Sequence, residues 1–115
     1  MPGTVATVGV LASCLLLGAG LLSVGTAAAW SQRLAGAADA AALAAADAAS
    51  GAVAGVPCER AAQVGATVGA EVIACELDGL VATITLGATY GVLPVSVAAR
   101  AGPPAGPPPG PPPAP

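Results

Sequence analysis

Residues Val5–Ala29, VATVGVLASCLLLGAGLLSVGTAAA, carry no charge, no Asn and no Gln, and are rich in Leu, Val, Ala and Gly. About 20 apolar helical residues cross the hydrocarbon core of a bilayer at roughly 1.5 Å each. The stretch is long enough for that, and everything after Trp30 reads as a short cargo displayed on one membrane face. The run also exceeds the ~7–15-residue apolar core of a secretory signal, which favours a retained anchor, residues 1–30. Two features read differently. Ala27-Ala28-Ala29 resembles a small-residue cleavage site, which would release the remainder as a secreted small binding protein or effector. Leu11-Ala12-Ser13-Cys14 matches a lipobox, although Leu15-Leu16-Leu17 follows where a polar tether is expected.

Within the anchor, Ala19, Ser23 and Ala27 recur four apart and place small residues on one helical face, a pattern that allows close helix–helix contact in lipid. Trp30 follows at the expected membrane boundary, the usual station of an amphipathic indole, and is read as an interface anchor. Ser31–Ser50, SQRLAGAADAAALAAADAAS, continues the helix, because Ala is the best helix former and no Pro interrupts. Asp39, Leu43 and Asp47 share one side of it. Unbroken from Val5 to Ser50 it would be roughly 69 Å long; a break at Gly36 is the alternative. Residues 31–54 are thus expected to form a projecting stalk.

Gly55 and Pro57 end that helix by composition, and Cys58–Ala70 reads as a short second helix, with Ala61, Ala62, Val64 and Val68 toward the stalk. Glu71–Leu77 and Leu80–Leu86 flank Asp78-Gly79, a preferred dipeptide of tight hairpins. Ala82, Ile84 and Leu86 alternate with Val81, Thr83 and Thr85, so one face can be buried. Gly87–Gly91 reads as a turn and Val92–Ala99 as a third strand, where Pro94 calls for an edge or a bulge. Residues 55–101 are therefore a small α/β head, and the chain is α+β. Gly102–Pro115, GPPAGPPPGPPPAP, is expected to be a disordered polyproline tail.

Composition narrows the chemistry. Without His, the chain holds neither a Ser-His-Asp nor a Cys-His arrangement, and three Cys are too few for an all-cysteine zinc site. With a net charge of −3, no Lys and three scattered Arg, there is no basic surface for nucleic acid. About 70 residues outside anchor and tail, mostly small, make a marginal core. An enzyme, a cofactor and a small-molecule substrate are not expected. Cys58 and Cys75 lie on the same side of the anchor. In an oxidising compartment they would close a loop of about 17 residues and add roughly 3 kcal/mol; on a cytosolic face they would be two buried thiols. Arg33, the one charge near the anchor, nominally votes for a cytoplasmic C-terminal side.

The apolar helix running into Arg33-Leu34-Ala35-Gly36-Ala37-Ala38-Asp39-Ala40-Ala41-Ala42-Leu43-Ala44-Ala45-Ala46, then Cys58, Cys75, a Val/Thr hairpin and the ending Ala98-Ala99-Arg100-Ala101-Gly102-Pro103, closely resembles the actinobacterial TadE-like proteins, over about residues 3–103. These are small proteins encoded near a helicase and Tad-type secretion genes. The resemblance implies a pilin- or pseudopilin-like component of a tight-adherence (Flp) pilus or secretion apparatus. It implies a single pass through the cytoplasmic membrane, the C-terminal domain outside, and other pilin-like or Tad secretion subunits, or further copies of itself, as partners. It does not carry over prepilin processing after a Gly with Glu five residues on. Five residues past Gly3 stands Val8, and the first acid is Asp39.

Overall fold

The computed structural model describes residues 1–114; Pro115, the last residue of the expected tail, lies outside the described residues. The chain is α+β. Helix α1, Pro2–Ser50, is followed by α2, Pro57–Ala66, and by a three-stranded antiparallel sheet in the order β1 (Glu71–Asp78), β2 (Val81–Tyr90), β3 (Leu93–Ala101).

Helix α1 is one unbroken helix of 49 residues, about 74 Å long. It passes through Gly36 without interruption, which sets aside the break considered there; Gly36 lies on an exposed side with open space around it. The helix ends at Gly51, whose φ of 81° takes the left-handed conformation that terminates helices, and its N–H donates to the Ala48 carbonyl. The buried side of its C-terminal half is an alanine face: Leu34, Ala37, Ala38, Ala41, Ala42 and Ala45. Asp39, Leu43 and Asp47 lie on the opposite, exposed side. Residues 34–50 are accordingly a layer of the head, packed against α2, β2 and β3.

Helix α2 is shorter than the Cys58–Ala70 expected. The Ala70 N–H donates to the Gly65 carbonyl and the Gly69 N–H to the Ala66 carbonyl, with Gly69 at φ 71°, so a Schellman turn closes it. Ala61 and Gly65 are its buried residues; Ala62, expected toward α1, is exposed, while Val64 and Val68 are half-buried. Gly65 marks a close approach, since a Cβ there would stand 3.1 Å from the Leu86 side chain and 3.1 Å from the Ala70 carbonyl oxygen.

Both hairpins turn on a Gly-X pair, the first one residue beyond the expected Asp78-Gly79 and the second at the far end of the expected Gly87–Gly91 turn. Asp78 pairs with Val81, so the first loop is Gly79-Leu80, with β1 including Asp78 and β2 starting at Val81. Gly79 has φ 60°, and among the described residues no non-glycine residue has positive φ. This is the signature of a type II′ turn, which needs positive φ only at its first position, and not of a type I′ turn over Asp78-Gly79. The second loop repeats it: Tyr90 pairs with Leu93 around Gly91-Val92, with Gly91 at φ 63°. Of Gly87–Gly91, expected as a turn, residues Gly87–Tyr90 therefore extend the central strand. Ala82, Ile84 and Leu86 of that strand are fully buried against the helices, as their alternation requires. Pro94 lies on the edge strand β3, opposite Thr89.

The ladder slips between Val72 and Ala74, making Ile73 the extra residue of a β-bulge. The slip puts Val72, opposite Leu86, and Cys75, opposite Ile84, on the same inner face although they are three residues apart. Ile73 is left on the outer face, where a Cβ on Gly87 would stand 3.0 Å from its Cγ2. Gly102–Ala114 carry neither helix nor strand and are exposed; a Cβ on Gly102 would stand 2.8 Å from Val81 Cγ2.

The alanine face makes a contrast of substitutions informative. Ala41→Leu should destabilise the head by about 1–3 kcal/mol, through overpacking of a site with no free volume. Gly36→Ala, on the open side of the same helix, should stabilise it by up to about 1 kcal/mol. Thermal unfolding of the full chain in detergent, followed by circular dichroism, reads both.

Candidate functional site at the anchor and its junction with the head

Two surfaces bear on function: the uncovered N-terminal half of α1 and the seam where it meets the head. In the first, none of the most apolar stretch is buried, and Leu15, Leu16, Leu21 and Leu22 are each about three-quarters exposed. Covering a side chain of this kind is worth roughly 1.5–3 kcal/mol, so this surface calls for an apolar surrounding. The polar groups of the stretch are already satisfied within the helix. The hydroxyls of Thr7, Ser13 and Ser23 donate to the carbonyls of Gly3, Gly9 and Ala19 at 2.8–2.9 Å, and that of Thr26 to Ser23 at 2.9 Å. A helix with its backbone and hydroxyls bonded internally meets the requirement that lipid imposes. Helix α1 is thus long and apolar enough to be a membrane anchor, and a signal sequence near the N-terminus meets the same description.

Ala19 and Ser23 are exposed and Ala27 is half-buried. The Ser23 hydroxyl is engaged by Ala19, so the stripe presents small, internally satisfied groups. Cys14 is exposed in the same stretch with a free thiol.

At the seam, Trp30 is half-buried and its ring meets that of Tyr90 with centroids 5.0 Å apart and planes tilted by 51°. Arg33, Leu34 and Val68 surround the same spot. At the opposite end of the head, Leu80 and Gly102 lie with Leu43, Ala46, Asp47 and Ser50 around a cleft. Strand β2 therefore runs back along α1, from the level of Ser50 to the level of Trp30. The lengths agree: ten strand residues and twenty helix residues each span about 30 Å. Tyr90, Val92 and Leu93 were not singled out by sequence reasoning, because Gly87–Gly91 read as a turn. The available signal was the repeated Gly-X pair, Gly91-Val92 matching Gly79-Leu80.

Cys58, at the start of α2, and Cys75, on the inner face of β1, are joined in a disulfide with Cα atoms 6.0 Å apart and a separation of 17 residues. Closing a loop of this length contributes about 3 kcal/mol. Arg60, one turn into α2, ties the preceding loop by donating from Nε (3.1 Å) and Nη2 (2.6 Å) to the Ala54 carbonyl. Arg100 is exposed on β3 opposite Thr83.

Among the described residues, no three His, Cys, Asp or Glu side chains converge as metal ligands would. A shallow groove of about 660 Å³ on the outer sheet face is lined by Ile73, Gly87, Thr89 and Pro94, with Glu71 its sole ionisable group. A lone carboxylate there has no acid–base partner. Compared with protein-family models, with curated proteins and with solved structures, the chain matches none.

Proposed function

We propose that this chain is a non-enzymatic, membrane-anchored, pilin- or pseudopilin-like component of a Tad/Flp-type pilus or secretion apparatus. The observation that carries the reading is the division of one continuous helix. Its first half is apolar, uncovered and internally hydrogen-bonded; its second half is the spine of a small stapled head. The first half sits in the cytoplasmic membrane and the head faces outward, where an oxidising environment maintains a disulfide. The part acts by packing its helix against other such helices through Ala19, Ser23 and Ala27, with the head fixing their spacing. Its partners are further pilin-like subunits or copies of itself, and it needs no cofactor, nucleic acid or small-molecule substrate. The competing reading is a secreted protein released by cleavage near Ala29, which the small residues before Trp30 favour.

Intact-mass spectrometry of the membrane fraction, with and without reductant, separates the two. The proposal expects a mass that retains the anchor, lighter by two hydrogens before reduction. A mass beginning near Trp30 would establish the released protein instead. For the packing mechanism, Ala19→Leu combined with Ser23→Leu should weaken self-association in vesicles by roughly tenfold, measured by energy transfer between labelled copies. Unchanged transfer would remove the small-residue stripe from the mechanism.

A further inference from the structure

The β2–β3 turn places two large apolar side chains where they have no partner in the head. Val92 is 93% exposed and Leu93 63% exposed. They follow Tyr90, whose ring rests on Trp30, and the turn continues past that contact in the direction of the uncovered half of α1. One strand residue advances about 3.4 Å, so the tip reaches the level of Ala29, where the apolar stretch of α1 ends. Tyr90-Gly91-Val92-Leu93-Pro94 contains no charge, and the nearest acid along the sheet, Glu71, pairs with Gly87, three residues back from Tyr90. Arg33 stands beside Trp30 at the same end of the head. A Trp, a Tyr, an Arg and two exposed aliphatic side chains at one level of a single-span protein match the belt found at membrane–water boundaries, where rings and long cations keep one end wet.

We propose that the β2–β3 turn is a second membrane contact: Val92 and Leu93 enter the headgroup–acyl boundary of the bilayer beside Trp30, and seat the head on the lipid surface. The inference rests on the reading of the N-terminal half of α1 as a retained anchor. The occupant is lipid because the patch is continuous, through the Trp30–Tyr90 contact, with the surface that the anchor presents to lipid. The seat also restricts the head. A helix alone leaves it free to tilt and rotate about α1, whereas a second contact to one side of α1 fixes which face of the sheet looks outward, and the proline-rich tail then leaves from the end remote from the membrane.

The test uses the full chain in phosphatidylcholine–phosphatidylglycerol vesicles, with and without lipid dibrominated near the top of one acyl chain, and reads tryptophan quenching. Three proteins are compared: the natural chain, reporting at Trp30; Trp30→Phe with Val92→Trp; and Trp30→Phe with Leu80→Trp, at the far end of the head. Phe keeps a ring against Tyr90, Val92 is almost fully exposed, and retention of the Cys58–Cys75 linked peptide shows that each head has folded. The proposal expects the indole at 92 to be quenched about as strongly as Trp30 in the natural chain, and at least about threefold more than the indole at 80. Strong quenching of Trp30 in the natural chain, with an indole at 92 quenched no more than the one at 80, overturns the membrane contact while leaving the anchor in place. A blue-shifted but unquenched indole at 92 also overturns it, by showing a tip covered by protein. Absence of quenching at Trp30 in the natural chain removes the anchor reading, and the second contact with it.

Discussion

The head depends on one contact: the alanine face of α1 against the sheet and α2. Ala38, Ala41, Ala42 and Ala45 are fully buried, and each contributes a single methyl. Area alone would make this a weak core, since burial is worth about 25 cal/mol per Å² and a methyl has little area. What the small side chains allow is proximity. Helix α1 lies close enough for Ile84 and Leu86, the two largest fully buried side chains, to fill the space between sheet and helices. The same logic recurs where α2 meets the sheet, at Gly65 against Leu86. A core of this kind is intolerant of added volume and offers little stability in reserve.

That shortfall gives the disulfide its place, and the bulge at Ile73 is what makes the disulfide geometrically available. In a regular strand, Val72 and Cys75 would point to opposite faces. The extra residue brings both inward, so Cys75 meets Cys58 while Val72 still joins the core. The displaced Ile73 side chain goes to the outer face, where Gly87 leaves room for it. Bulge, glycine and cross-link are therefore parts of one local solution: a strand too short and a core too thin to hold themselves are fixed at the point where α2 begins.

Much of this was legible in the residues. The charge-free run Val5–Ala29, the alanine continuation to Ser50, the inward alternation of Ala82, Ile84 and Leu86, and the cysteine pair each carry a local physical signature. Less legible were features decided by cooperation between segments. Asp39, Leu43 and Asp47 mark a helix side without telling whether it is covered, and in an alanine-rich helix the buried face has almost no contrast with its neighbours. Asp78-Gly79 advertised a type I′ hairpin, but Gly79-Leu80 makes a II′ turn that shifts the loop by one residue. Gly87 read as a breaker, whereas in the strand it accommodates the bulge opposite. Trp30 stood out in the sequence as the residue that closes the apolar run; its contact with Tyr90 follows only once the length of β2 is matched to the helix.

Helix α1 passes from an uncovered apolar half into the spine of the head with no joint between them. The most direct measurement is hydrogen–deuterium exchange of the full chain in lipid nanodiscs, resolved along α1. The account predicts slow exchange without a gap from Val5 through Trp30 and on to Ala45, the first part shielded by lipid and the last by the sheet and α2. Fast exchange confined to Ala29–Leu34 would show a hinge where a continuous rod is described, and would contradict it.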